Sequence, residues 1–130
     1  SIAKGTIYKY FSDKDDLLHA LFSQSFDGLI AETERISVKE GDTRDLILEF
    51  SNTLSDFSES NRDLIFQLHK ANYKESHCDK ETEIMTTFML SFEKILKNGI
   101  KKDELREMDT QQLACFSLGC FTMLSLQICI

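Results

Sequence analysis

Ser1-Ile-Ala-Lys-Gly-Thr-Ile-Tyr-Lys-Tyr-Phe11, running into Ser12-Asp-Lys-Asp-Asp-Leu-Leu18, is the stretch on which the reading of this chain turns. Ala3, Ile7 and Phe11 recur every four residues, so one face of a short helix is apolar and can pack inward. Lys4, Gly5, Thr6, Tyr8 and Lys9 then point elsewhere. Lysine brings positive charge, and threonine and tyrosine hydroxyls can reach phosphate oxygens or base edges. A glycine near the helix start lets a backbone approach closely. Without any wider pattern, such a turn would read as an ordinary solvated surface helix.

The wider pattern is present. Ala3-Lys-Gly-Thr-Ile-Tyr-Lys-Tyr-Phe11, then Ser12-x-Lys14-x-x-Leu17-Leu18, resembles the tetracycline-repressor (TetR) family of bacterial transcription regulators. The resemblance implies an all-α fold, a helix-turn-helix remnant followed by a helical ligand-binding and dimerisation domain. It places the DNA contacts at Lys4, Gly5, Thr6, Tyr8, Lys9, Tyr10 and Lys14. Of these, Thr6, Tyr8 and Lys9 would approach base edges and nearby phosphates, and Tyr10 and Lys14 would hold phosphate. Ala3 stands where the family usually has a small polar residue, so the short helix should lack a side-chain cap, at a cost of about 1 kcal/mol. A complete head needs a supporting first helix, and Ser1 falls about where the family's turn lies. The expectation is therefore a fragment lacking the first helix, most of the second and the family's last helix. The resulting division is residues 1–36, the end of the DNA-binding domain plus a connecting helix, and residues 37–130, a ligand-sensing and dimerisation domain.

Composition fits that reading without deciding it. At 130 residues and 42% hydrophobic the chain can bury one core. A net charge of −7 argues against a protein that coats nucleic acid, but residues 1–14 carry +2, which leaves −9 on the remainder. One basic end on an acidic body suits a single DNA-facing surface. Cys78, Cys115, Cys120 and Cys129 show no CxxC spacing and read as buried thiols in a reducing cytoplasm. His69, His77 and Cys78 lack a fourth partner at ligand spacing, so no metal and no cofactor is expected.

Proline is absent, and the apolar residues follow the helical period almost throughout. Ser12 with Asp15 reads as a capping box opening a long helix to about Ile36, with Leu17, Leu18, Leu21, Phe22, Phe26, Leu29 and Ile30 on its apolar stripe. Asp42 or Thr43 caps a second helix carrying Leu46, Ile47, Phe50, Leu54 and Phe57. Ser60-Asn61 starts a third, with Leu64, Ile65, Leu68 and Ala71, to about Lys74. Glu75 to Asp79 reads as a polar loop, Asp79 as the cap of a fourth helix through Ile84, Phe88, Phe92, Ile95 and Leu96, and Asn98-Gly99 as its end. Asn98 to Arg106 also resembles a family turn, in which glycine more often stands at the place of Asp103. Asp109 opens the last helix.

That last helix, residues 113–130, is apolar on nearly every side. Gln127, Thr122, two serines and the lack of a flanking basic cluster weigh against a membrane span. The resemblance implies a homodimer bundle in which Ser117, Leu118, Phe121, Thr122 and Leu124 meet a partner copy. It also implies a pocket among the helices, with Phe50, Phe57, Phe66, His69, Tyr73, Met85, Phe88, Met89, Phe92 and Phe116 as candidate lining for a small apolar or aromatic effector. No Ser/His/Asp order, phosphate-cradling glycine loop, HExxH or paired carboxylates point to an enzyme. The expected function is a cytoplasmic repressor released from operator DNA by its ligand. The alternative is a helical dimeric interaction module without DNA binding.

Overall fold

The computed structural model describes residues 3–70 and 75–129, with the side chains of 68, 69, 75–78 and 126–129 left out. Six helices follow one another: α1 (Lys4–Ile7), α2 (Lys14–Ser37), α3 (Thr43–Ser60), α4 (Arg62–Lys70), α5 (Glu75–Lys101) and α6 (Thr110–Cys129). There is no strand among the described residues, and the all-α expectation holds.

Helices α2, α3, α5 and α6 enclose the core, with α4 closing one side against α2 and α6. The buried residues are those that the helical period selects: Phe26, Leu29 and Ile36 from α2, Leu46, Phe50 and Leu54 from α3, Ile84, Phe88, Phe92, Ile95 and Leu96 from α5, and Ala114 and Leu118 from α6. Aromatic rings meet at its centre. Phe26 sits 4.7 Å from Phe57 and 5.7 Å from Phe88, and Phe50 packs 5.2 Å from Phe92, separations at which aromatic pairs add attraction beyond burial. His19 of α2 is buried as well, its Nδ1 3.7 Å from a Glu81 carboxylate oxygen on α5.

Local boundaries depart from the sequence reading at three places. Asp13, not Ser12, caps α2: its carboxylate accepts from the Asp16 amide at 2.9 Å, while the Ser12 hydroxyl donates to the Asp16 side chain. The expected pairing was displaced by one residue because an aspartate caps as well as a serine does. Helix α4 is described to Lys70, and residues 71–74 lie outside the description. Glu75 to Asp79 is the first turn of α5 and not a loop. Polarity alone does not stop a helix, and acidic residues near an N-terminus interact favourably with its dipole. Asn98-Gly99 does not end α5, which continues to Lys101; the left-handed residue is Asp103, with φ 60°. The cap expected at Asp42 is present, its carboxylate accepting from the Arg44 amide at 2.9 Å. Asp109 likewise accepts from the Gln112 amide at 2.9 Å and opens α6.

The turn after α5 is clasped to the start of α3. The Thr43 amide donates to Glu104 at 2.8 Å, the Thr43 hydroxyl donates to the same carboxylate, and Lys102 lies 3.3 Å away. These donors, Thr43 first, hold the Glu104 carboxyl below its usual range. A second polar tie joins α5 to α6. Glu93 pairs with Lys97 at 2.8 Å and accepts from the Thr110 hydroxyl at 3.0 Å, which lowers its pKa.

Gly99 supplies the space for the clasp. A Cβ there would stand 2.6 Å from Thr43 Cγ2 and 2.8 Å from Leu105 Cδ1, and Thr43 is both buried and held by Glu104. Gly99→Ala should therefore destabilise the protein by about 1–3 kcal/mol despite alanine's better helix propensity. Urea denaturation reads this directly; a midpoint at or above that of the unsubstituted protein would refute the close approach.

Candidate functional site

The N-terminal segment is short, basic and open to solvent. Ala3 caps α1 with no side-chain hydrogen bond, as its identity led one to expect. Amides of Thr6 and Tyr10 bond back to the Ala3 and Ile7 carbonyls at 2.9 and 3.1 Å, so the turn continues past the four residues of α1. Ile7 and Phe11 are half-buried. Lys4, Gly5, Thr6, Tyr8, Lys9, Tyr10 and Lys14 are all exposed, Tyr10 at 78% and Tyr8 at 55%. Two exposed tyrosines among lysines form a surface able to hydrogen-bond and to neutralise an anionic polymer.

A second site lies inside. Helices α2 to α6 surround a cavity of about 140 Å³ whose walls are almost entirely apolar. Phe22, Phe26 and Leu29 come from α2, Leu54 and Phe57 from α3, and Ile65 from α4. Met85 and Phe88 of α5 and Leu118 and Phe121 of α6 complete the apolar wall. Among the described residues the polar lining side chains are three hydroxyls, Ser58, Thr122 and Ser125. Ser58 and Ser125 stand 2.8 Å apart, and Ser58 donates to the Leu54 carbonyl at 3.0 Å. Beside the cavity, a shallower groove between α5 and α6 shares Met85, Leu118 and Thr122 with it and adds Met89, Cys115 and Glu81.

Of the residues that sequence reading assigned to a pocket, Phe57, Met85 and Phe88 line this cavity, and Met89 lines the adjoining groove. Phe50 and Phe92 instead pair with one another in the solid core. Phe66 lies away from the cavity, beneath the Lys70 ammonium at 4.1 Å on the surface of α4. Phe116 is 71% exposed on the far side of α6, so it cannot line the cavity. Tyr73 and the His69 side chain fall outside the described residues, as do the side chains of His77, Cys78 and Cys129. The residues missed were Phe22, Phe26, Leu29, Leu54, Ile65, Ser58 and Ser125. The first five lay on recognised apolar stripes, where core and cavity wall look alike. Ser125 carried the better signal, because it interrupts an otherwise apolar run four residues after Phe121.

The outer face of α6 is apolar too. Leu113, Phe116, Met123 and Leu124 are exposed, together with Cys115, Gly119 and Cys120. Two expectations reverse here. Leu118, assigned to a partner contact, is buried at 6% exposure and lines the cavity, and Phe121 is half-buried beside it. Cys115 and Cys120, expected to be buried, are exposed. A helix that is apolar all round leaves the choice of inner face to its neighbours, and they take Ala114, Leu118 and Phe121. Ser117 is half-buried; Thr122 and Leu124 are exposed, although Thr122 also reaches the cavity mouth. Among the described residues, no helix is long and apolar enough to cross a membrane.

This arrangement is found in a known structure. The chain superposes on a Clostridium perfringens protein named "putative fatty acid metabolism regulator", with a TM-score of 0.59, over 97% of this chain and 69% of that one. The two share a fold. Their sequences are 21% identical, and at that distance the likeness concerns the fold alone. No family model matches the chain, and no curated protein matches it.

Proposed function

We propose that this chain belongs to a DNA-binding transcriptional regulator, a repressor whose hold on operator DNA is released when a small apolar or aromatic molecule enters the cavity. The observation that carries the reading is the position of α2. Its first turn opens on Lys14 and follows directly on the segment that contains Lys4, Tyr8 and Lys9, and its middle supplies Phe22, Phe26 and Leu29 to the cavity wall. A guest that pushes on those side chains moves the same rigid rod that carries the basic segment. The fold shared with the Clostridium perfringens protein supports the reading, as does the resemblance of residues 3–18 to tetracycline-repressor recognition helices.

In this reading residues 1–36 belong to the DNA-binding unit and its connecting helix, and residues 37–130 form the sensing and dimerisation unit in a bacterial cytoplasm. A second copy covers the apolar outer face of α6, which a lone protomer leaves in water. The dimer sets two recognition segments in successive major grooves, roughly 34 Å apart. Thr6, Tyr8 and Lys9 approach base edges, and Lys4, Gly5, Tyr10 and Lys14 sit against the backbone phosphates. Ligand binding changes the spacing of the two segments and lowers DNA affinity by its preference between the two states, about 1–3 kcal/mol.

Tyr8→Ala in the full-length protein tests this. Affinity for a duplex selected from a random library, measured by fluorescence anisotropy, should fall about 5- to 100-fold while sedimentation stays unchanged. Equal affinity would remove Tyr8 from the interface. Failure of the unsubstituted protein to bind any duplex at low salt would favour a dimeric interaction module instead.

A further inference from the structure

We infer that the cavity selects an uncharged, single-ring molecule that carries a hydrogen-bond donor, such as a phenol, and discriminates against carboxylates; this rests on the reading of the cavity as the effector site. The inference comes from where the three lining protons already go. A hydroxyl has one proton to give and two lone pairs to offer. The Ser58 proton goes to the Leu54 carbonyl at 3.0 Å, and the Thr122 proton to the Leu118 carbonyl at 2.9 Å. Ser58 and Ser125 are 2.8 Å apart, and with the Ser58 proton engaged, the bond between them runs from Ser125 to Ser58. Among the described residues, what remains for a guest is lone pairs alone. The amides of α3 and α6 at these positions lie within their helices, so the backbone offers no donor in exchange.

Ser58 lies at 8% exposure, deep enough for this polarity to matter. A guest with an O–H satisfies the Ser125 oxygen and brings its own proton. A guest with only acceptors sets lone pair against lone pair, or takes a serine proton from its helix carbonyl. A carboxylate does so while bringing a full charge against apolar walls, and an ammonium donates but carries the same desolvation burden. Neutral donors are left. Size narrows them further: about 140 Å³ is close to the volume of apolar protein cavities that hold a single benzene ring. Phe22, Phe26, Phe57 and Phe88 give that ring aromatic neighbours on several sides.

The test is isothermal titration of the full-length protein at pH 7 with phenol, benzonitrile, toluene and benzoate. Benzonitrile keeps the ring and a comparable polarity but has only an acceptor. Phenol should bind about tenfold more tightly than benzonitrile, and benzoate should give no heat. Ser125→Ala should bring phenol down to the benzonitrile level and leave toluene unchanged, while Ser125→Thr should retain the preference. Benzonitrile or benzoate binding as tightly as phenol would overturn donor selection and leave the cavity as the effector site. If none of the four binds, the cavity reading falls with it. The benzonitrile comparison needs no substitution, so it decides even if a Ser125 variant folds poorly.

Discussion

Leu118→Arg should abolish the folded state, whereas Phe116→Arg should leave it intact. Both residues lie on α6, and the sequence around them is almost uniformly apolar. Leu118 is 6% exposed, belongs to the core and touches the cavity, so an arginine there must either bury an unpaired guanidinium or break α6 away from α3 and α5. The expected cost is more than about 4 kcal/mol, enough to remove a cooperative thermal transition from a domain of ordinary stability. Phe116 is 71% exposed, and an arginine there meets only solvent within the protomer. Its effect should appear in assembly. Sedimentation should show Phe116→Arg as a folded monomer and the unsubstituted protein as the proposed dimer. A folded Leu118→Arg variant would contradict the inward placement, and a dimeric Phe116→Arg variant would contradict the outer face of α6 as the contact.

Phe50→Ala should lower stability by about 3–5 kcal/mol. Phe50 has no exposed surface and packs at a tilt against Phe92 at 5.2 Å, between α3 and α5, in a part of the core without the free volume of the neighbouring cavity. Removing the ring loses apolar burial and leaves a void that two long helices cannot readily collapse around. Guanidinium denaturation gives the number, and a loss under 1 kcal/mol would show that α3 and α5 repack. Phe57, which borders the existing cavity, offers a contrast: its truncation enlarges a space that is already open, so it should cost less and alter guest size.

These two pairs mark what a sequence of this kind discloses. The inward stripes of α2, α3 and α5 were legible because each alternates with charged residues at the helical period: Leu46, Phe50 and Leu54 stand among Arg44, Asp45 and Glu49 and are all buried. Asp42 and Asp109 were legible as caps because a short acceptor just before an apolar run has few other roles. Helix α6 has no such contrast, so periodicity gave no basis for choosing between Phe116 and Leu118, and its neighbours made the choice. The cavity was hidden for a related reason. A phenylalanine beside empty space and one in solid packing occupy the same stripe, and only the three-dimensional meeting of Phe22, Phe57 and Phe88 separates them from Phe50 and Phe92. The end of α5 was displaced because Gly99 serves close packing against Thr43, while the left-handed turn falls to Asp103.

Helix α2 walls the cavity and also adjoins the basic segment, and this shared element imposes a reciprocity. If a guest lowers affinity for a duplex by some factor, the duplex must lower affinity for the guest by the same factor. A protomer clamped on DNA would then hold its small molecule poorly, and one free in solution would hold it well. The pool of unbound protein would act as a reservoir for the guest, so the concentration needed for release would rise with the number of copies in the cell.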